Sequence, residues 1–322
     1  MPLFTGSSKF ILGGVEETNK KETVFYGLVQ KNVLITGSNG QLGNELRERK
    51  SHKHDSLNFI YTDYDVLDIT NLQQVEDFVK DNQIQYIINC AAYTAVDKAE
   101  SDKEKAVLVN VNGPENLAIA AKKYNAKLVH ISTDYVFDGN GTRPYTEDLP
   151  KNPQSVYGIT KADGEDAILK QLPDAIIIRT SWLYSEFGNN FVKTMLRLMN
   201  ERTDLNIVAD QHGSPTYAAD LAEMIVHILN QYETDGVWKG GIYHFSNSGE
   251  TTWYDFTAKI KELSENSTCA LHPITTDQYP TAASRPKYSV MDTSKIQRTF
   301  NVHIPGWEES LLRMLAKLIT KN

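Results

Sequence analysis

The sequence predicts an α/β fold: a doubly wound parallel sheet with a smaller, partly interleaved C-terminal lobe. Short apolar runs alternate with helical patterns five times between residues 31 and 180. The first run leads directly into a glycine-rich turn, and the alternation loosens from Trp182 onward. Repeated strand–helix units are typical of parallel sheets with right-handed crossovers. The looser C-terminal pattern indicates a second lobe that closes over a ligand.

Composition limits the possible partners. The chain has 322 residues, 40% hydrophobic and 23% charged, with a net charge of −8. This charge disfavours broad binding to nucleic acid or anionic membranes, and no apolar run approaches the length of a membrane span. Cys90 and Cys269 have no CxxC spacing, which argues against a structural zinc site and a disulfide framework. We therefore expect a cytoplasmic protein with no nucleic-acid or membrane partner.

Residues 1–30 precede the first predicted strand and have no sustained apolar period. Their apolar run, Phe10-Ile11-Leu12, is too short for the core of a signal peptide. We expect a loosely ordered extension that contributes little to folding or activity, and the alternative is a short arm packed on the body.

The first two strands predict a dinucleotide site. The buried run Val33–Thr36 is followed by GSNGQLG over residues 37–43 and by a helical pattern. Such a turn places backbone N–H groups and a helix N-terminus around a pyrophosphate, although glycines there can also serve the turn alone. The second strand, 59–62, ends at Asp63, where a carboxylate can bind the adenosine ribose and repel a 2′-phosphate. Asp63 thus favours NADH, unless it is a solvated loop carboxylate like its neighbour Asp65.

The later strands end at the same rim. The third, 86–92, ends in small residues, the fourth, 128–131, leads into Ser132-Thr133, and the fifth spans 175–179. A sixth strand is predicted at 206–209. In an open α/β sheet, ligands bind outside the carboxyl ends of the strands. The glycine-rich turn, Asn89–Ala92 and Thr133 should therefore surround one site.

Tyr157 and Lys161 are candidates for acid–base chemistry at that rim. Residues four apart lie one turn from each other on a helix. A free phenol has a pKa of about 10, and a nearby ammonium group lowers it. Tyr157 could then exchange a proton with a reacting oxygen. Tyr and Lys are common on helices, so the alternative is an exposed pair without function.

The predicted domains follow from these patterns. Residues 31–185 form the dinucleotide-binding domain, to which 202–232 return. Residues 186–201 and 233–322 form the substrate-binding lobe. Arg285 lies in a turn-rich part of this lobe, where its guanidinium could grip a pyrophosphate. The alternative for Arg285 is a surface arginine in a loop.

Eight motifs occur in an order that resembles one family. They are TGSNGQLG, NCAAYTAVDKAE, STDYVFDG, VYGITKADGE, RTSWLY, GNNF, DQHGSPT and SRPKYSV. Over about residues 31–320 they resemble the dTDP-4-dehydrorhamnose reductases, a family of the extended short-chain dehydrogenase/reductases with a Rossmann-type fold. The resemblance implies reduction of the 4-keto group of a dTDP-6-deoxy-hexulose to dTDP-L-rhamnose, with hydride from NADH or NADPH.

The resemblance also implies residue roles. Tyr157 would donate the proton to O4, Lys161 would lower its pKa and bind the nicotinamide ribose, and Thr133 would bond the reacting oxygen. The implied cofactor-binding residues, besides Lys161, are Gly37, Gly40, Gln41, Leu42, Gly43, Asp63, Asp68, Ile69, Ala91, Ala92 and Tyr93. The implied substrate-binding residues are Thr133, Asp134, Tyr157, Trp182 and Arg285.

The sequence departs from relatives that form a magnesium-bridged dimer. Glu45 and Glu308 match two of the three glutamates that such members use, but Ala219 stands at the third. We therefore predict no metal site, with Mg2+ bound by Glu45 and Glu308 as the alternative, and both a monomer and a homodimer stay open.

Two other functions also stay open. A dehydratase or epimerase is one, although related dehydratases place a glutamate where this chain has Tyr135. A regulatory subunit, like an animal relative that regulates methionine adenosyltransferase, is the other, and the intact Thr133, Tyr157 and Lys161 argue against it.

Overall fold

A computed structural model describes residues 30–49, 57–264 and 268–321. The predicted N-terminal extension, except Gln30, lies outside these residues, so its looseness stays a prediction. Among the described residues, no helix combines the length and apolar character needed to cross a bilayer.

The secondary structure alternates between strands and helices through the first half of the chain. The strands are β1 (Lys31–Thr36), β2 (Leu57–Tyr61), β3 (Ile84–Asn89), β4 (Lys127–Thr133), β5 (Ile176–Thr180), β6 (Leu183–Tyr184), β7 (Asp204–Val208), β8 (His212–Gly213), β9 (Thr216–Tyr217), β10 (Gly241–His244), β11 (Thr251–Thr252) and β12 (Ala270–Ile274). The helices are α1 (Gln41–Arg49), α2 (Leu72–Asp81), α3 (Val96–Ala99), α4 (Lys103–Val107), α5 (Gly113–Lys123), α6 (Val156–Gln171), α7 (Phe191–Glu201), α8 (Ala218–Asp235), α9 (Trp253–Ser264), α10 (Ser294–Phe300) and α11 (Trp307–Lys321). A π-helical turn, Leu108–Asn112, connects α4 to α5.

Within the described residues, the main sheet has the strand order β10-β5-β4-β3-β1-β2, and every pairing is parallel. Helices cover both faces. Val33 and Ile35 pack with α1, α8 and α10 on one face, whereas Leu34 packs with α2, α5 and α6 on the other. Burial on both faces explains why the central strands are continuous apolar runs. The predicted α/β fold with a doubly wound parallel sheet is confirmed.

The predicted sixth strand is present but does not belong to the main sheet. Residues 204–208 do form a strand, β7, but it pairs with β12 outside the main sheet. The sixth place in the main sheet belongs to β10, which runs parallel to β5. The sequence Gly241-Ile242-Tyr243-His244 follows Gly240 and has no continuous apolar run. Its pattern therefore gave no strand signal.

The C-terminal half contains a separate apolar core. It is built around β7 and helices α7, α9 and α11, with Val192, Leu205, Phe256 and Leu311 among its buried members. Most of the intervening helix α8 packs with the main sheet, whereas β7 does not. Helix α10, from the segment assigned to the substrate lobe, also packs with the main sheet. Segments of the C-terminal half thus contribute to both cores, and the domain boundaries stay a prediction.

Candidate active site

A cleft of about 720 Å³ opens at the carboxyl ends of the main strands. Of the residues predicted to take part in catalysis or to bind cofactor or substrate, all but Arg285 line it. The walls include Gly37, Gly40, Gln41, Leu42, Gly43, Asp63, Asp68, Ile69, Ala91, Ala92, Tyr93, Thr133, Asp134, Tyr157, Lys161 and Trp182. The convergence predicted from the ends of parallel strands is therefore present in the structure, whereas the role of each residue stays a proposal.

Two glycines shape the turn after β1. Gly37 has a φ of +63°, and a Cβ there would lie 2.6 Å from the backbone nitrogen of Ala91. A Cβ on Gly43 would lie 2.5 Å from the Cα of Ser38. Only glycine allows the turn to approach β3 and α1 this closely. The start of α1 is thereby open to the cleft, which fits an anionic pyrophosphate.

Asp63 braces this turn. Its carboxylate accepts hydrogen bonds from the backbone N–H groups of Asn39, at 3.0 Å, and Tyr64, at 2.9 Å. Arg47, on α1, lies nearby: its guanidinium stacks 4.8 Å from the centre of the Tyr61 ring, and Nη2 is 3.4 Å from Ser38 Oγ. The sequence analysis did not single out Arg47. It follows Gly43 by four residues, so its place on the helix one turn after that glycine was a usable signal.

Tyr157 lies at the start of α6, whose first turn is capped by Ser155 Oγ accepting from Gly158 N at 3.1 Å. The phenol hydrogen-bonds with the Thr133 hydroxyl. The Thr133 hydroxyl has one proton, which it donates to Asp134 Oδ1 at 2.8 Å. The three side chains thus form a contiguous chain from phenol to hydroxyl to carboxylate.

The protonation of this chain is set mainly by burial. Burial raises the pKa of Tyr157 to about 12 and the pKa of Asp134 to about 7. Burial also lowers the pKa of Lys161 to about 8. The structure does not show the predicted lowering of the phenol pKa by Lys161. The reason is the direction of the amine, since Lys161 Nζ donates to the backbone oxygen of Ile131 at 2.7 Å.

The π-helical turn positions α6 and the cleft wall through Asn110. This buried side chain accepts from Tyr93 N at 2.8 Å and donates to Thr160 Oγ1 at 3.1 Å. A Cβ on Gly164 would lie 2.1 Å from Asn110 O, so α6 packs directly against the turn. Single π-helical turns are frequent at functional sites. The helical pattern of the sequence did not reveal this turn.

Trp182 forms part of the cleft wall in a strained conformation. Its φ is +48°, a left-handed value that is unfavourable for a bulky residue. The indole stacks on Trp253 with 3.5 Å between ring centres and 9° between planes. A Cβ on Gly213 would lie 2.4 Å from the same indole. The ring is therefore fixed by packing, which makes it a rigid surface for a ligand.

Arg285 is held by a carboxylate near the cleft. Its Nη2 lies 2.5 Å from Asp97 Oδ2, and the same aspartate accepts from Ala283 N at 3.0 Å. Although burial raises the pKa of Asp97, these hydrogen bonds lower it overall. Asp97 directly follows Val96, which lines the cleft. The Arg285 loop is thus tied to α3 at the cleft margin.

The glutamates considered for magnesium do not come together. Glu45 is buried, accepts from Ser185 Oγ at 2.7 Å and has Lys317 Nζ at 3.9 Å. Glu308 is exposed on α11, nine positions before Lys317 on the same helix. In the part of the chain that the structure describes, no group of three or more Asp, Glu, His or Cys side chains could hold a metal ion. The mechanism below includes no step on a metal.

A parallel sheet with a glycine-rich first turn and a Thr–Tyr–Lys set at its carboxyl edge defines the extended short-chain dehydrogenase/reductases. Within that class, the family model for the RmlD substrate binding domain matches residues 31–320. The chain therefore belongs to this family, as the motifs predicted.

Relatives with names agree with this assignment. A dTDP-4-dehydrorhamnose reductase from Aggregatibacter actinomycetemcomitans is 41% identical over 290 residues, covering 88% of this chain and 98% of that protein. A crystal structure of the Clostridium acetobutylicum dTDP-4-dehydrorhamnose reductase is 41% identical, with a TM-score of 0.84 over 89% of this chain and 99% of that one. The Bacillus anthracis reductase, solved in complex with NADP, is 40% identical with a TM-score of 0.83 over the same shares.

Proposed function

We propose that this protein reduces the 4-keto group of dTDP-4-dehydro-6-deoxy-L-mannose (dTDP-4-dehydro-L-rhamnose) to give dTDP-L-rhamnose, a polysaccharide precursor, with NADPH or NADH. The observation that carries the proposal is the Tyr157–Thr133–Asp134 chain, which shares one cleft with the glycine-rich turn. The reaction would take place in the cytoplasm, in a monomer or homodimer. The core built on β7, α7, α9 and α11 would support the substrate side of the cleft.

Side chains of this protein would donate and resupply the proton. When bound, the dinucleotide supplies a hydride to C4 of the sugar. Tyr157 donates its proton to O4, so that one C–H and one O–H bond form. With a pKa of about 12, the phenol is fully protonated at neutral pH. Thr133 would donate to the same oxygen by turning its hydroxyl away from Asp134, and Lys161, with a pKa of about 8, is suited to resupplying the proton.

The direct test is the oxidation of NADPH and NADH with freshly made dTDP-4-dehydro-L-rhamnose. We expect turnover that depends on the sugar nucleotide and a product that co-elutes with dTDP-L-rhamnose. Incubation with dTDP-glucose alone tests for a dehydratase. Reductant binding without sugar-dependent oxidation would contradict the proposal and favour a regulatory subunit.

We expect Arg47→Ala to raise the KM for NADPH about tenfold, equivalent to ~1.4 kcal/mol, with little change for NADH. The reason is that Arg47 and Ser38 lie beside the turn braced by Asp63, where an adenosine 2′-phosphate needs a cation. Arg49→Ala is the matched control, because Arg49 ends the same helix and pairs with Glu223 at 2.9 Å. Equal changes for both cofactors would show that Arg47 does not read the 2′-phosphate.

We also expect Arg285 to exchange Asp97 for the diphosphate of the substrate. Arg285→Ala should then weaken dTDP binding about tenfold or more, whereas Asp97→Asn should strengthen it because the competing carboxylate is gone. Calorimetric titration of dTDP measures both, with the exposed Arg298→Ala as control. If dTDP binds Arg285→Ala as tightly as the wild type, Arg285 is not the phosphate ligand.

A further inference from the structure

A buried chain of side chains connects β1 to Lys161 through the interior of the sheet. Thr36 Oγ1 donates to Asn89 Oδ1 at 2.7 Å, and the backbone N–H of Ala91 donates to the same oxygen at 3.1 Å. Asn89 Nδ2 lies 2.9 Å from His130 Nδ1. His130 Nε2 in turn lies 3.3 Å from Lys161 Nζ. Asn89, His130 and Lys161 are each at most 2% exposed.

The orientation of the Asn89 side-chain amide is fixed by the backbone N–H of Ala91. A backbone N–H can only donate, so the atom of Asn89 that faces Ala91 must be the carbonyl oxygen. The amide nitrogen therefore faces His130 and donates to its Nδ1. Burial lowers the pKa of His130 well below its ordinary value, and a ring that accepts at Nδ1 is neutral. A neutral ring that accepts at Nδ1 carries its proton on Nε2.

This tautomer points an N–H at Lys161. An ammonium group has three donors and no lone pair, so it cannot accept that hydrogen. A neutral amine has one lone pair and two donors, which matches an acceptor for His130 and a donor to Ile131 O. The His130 Nε2–H thus favours the neutral form of Lys161 in addition to burial.

We propose that His130 is a positioning residue for Lys161: its Nε2–H, held by Asn89, directs the amine and selects its neutral form, so that Lys161 exchanges protons near neutral pH. His130 does not carry protons itself, because it is fully buried and its other nitrogen is occupied by Asn89. The catalytic use of this arrangement rests on the proposed reductase function.

The other charged groups around Lys161 act differently. Glu165, on the same helix, and Cys90, at the end of β3, both raise the pKa of Lys161 and so oppose burial. Tyr157 lies one turn earlier on α6 and bonds to Thr133, beside Asp134. Since neither Glu165 nor Cys90 can favour the neutral amine, His130 is the polar side chain in this set that does so.

The first experiment measures the tautomer in the wild-type protein before any cofactor is added. Nitrogen-15 NMR of labelled histidine distinguishes Nδ1–H, Nε2–H and doubly protonated rings, and loss of the signal in His130→Asn assigns it. We expect Nε2–H. An Nδ1–H or doubly protonated His130 would overturn the proposal, even if every variant failed to fold.

The second experiment measures the pKa of Lys161 by carbon-13 NMR of labelled lysine, assigned through Lys161→Arg. His130→Asn keeps a polar atom near the Nδ1 position but has nothing at Nε2, so we expect the Lys161 pKa to rise by about one unit. His244→Asn is the matched control. His244 is equally buried, lies on β10 and hydrogen-bonds with the backbone oxygen of Tyr145. An unchanged or lower Lys161 pKa in His130→Asn would contradict the proposal.

Neither NMR measurement needs substrate, so the two proposals can fail separately. If the sugar nucleotide is not reduced but the tautomer and the pKa shift are as expected, only the proposed reaction is wrong. If reduction occurs, the alkaline fall of kcat/KM should move to higher pH in His130→Asn and stay in place in His244→Asn. This sign follows because Lys161 must be protonated to resupply Tyr157.

Discussion

Replacing Tyr157 with phenylalanine should lower kcat by about 10²–10⁴-fold, the usual loss when a general acid is removed. The phenol lines the cleft beside Thr133 and Asp134, and the Thr133 hydroxyl donates its own proton to Asp134 Oδ1 at 2.8 Å. The ring itself should stay in position, since it packs edge-to-face on Tyr135 with 5.4 Å between centres. The Kd for NADPH, measured by fluorescence titration, should therefore be nearly unchanged.

Steady-state turnover with the sugar nucleotide compares Tyr157→Phe with the wild type. Tyr124→Phe is the control, because Tyr124 directly follows α5 and does not line the cleft. A Tyr157→Phe protein that retains turnover within about fivefold of the wild type would mean that another group protonates O4. Loss of both turnover and cofactor binding would indicate damage to the fold instead, which circular dichroism would detect.

Replacing Arg179 with methionine should destabilise the protein by about 3 kcal/mol, because the buried Glu165 carboxylate then has the more distant Lys151 ammonium, at 3.6 Å, as its cation. Arg179, on β5, makes two hydrogen bonds to Glu165 on α6, at 2.9 and 2.7 Å. Both side chains are almost completely buried, and Ser132 Oγ donates to the same carboxylate at 2.5 Å. This pair ties the helix that bears Tyr157 to the sheet, next to the strand that bears Thr133.

Urea unfolding measures the effect, and two variants sharpen it. The double variant Arg179→Met/Glu165→Gln removes both charges and should recover most of the lost stability. Arg197→Met breaks an exposed pair with Glu201 and should change the free energy of unfolding by less than about 1 kcal/mol. If Arg179→Met alone were as stable as Arg197→Met, the Glu165 carboxyl would have to be protonated or solvated in the folded protein.

Local patterns in the sequence were sufficient for much of the fold and for the place of the site. A strand buried on both faces needs a continuous apolar run, and a turn that touches β3 needs glycine at position 37. Because parallel strands end at a common edge, the positions of Gly37, Ala91 and Thr133 along the chain predicted one cleft. Helical spacing likewise predicted that Tyr157 and Lys161 share a helix face.

Tertiary structure decided what depends on distant segments. The pairing of β10 with β5 replaced the predicted sixth strand, since strand order is set by packing and not by the local period. Asp97 and Arg285 are 188 positions apart in the sequence, and His130 and Lys161 are 31 positions apart. Side-chain partners at such separations have no local signal. The sequence by itself therefore determined which residues reach the cleft, whereas the packed sheet decided where their protons and charges are directed.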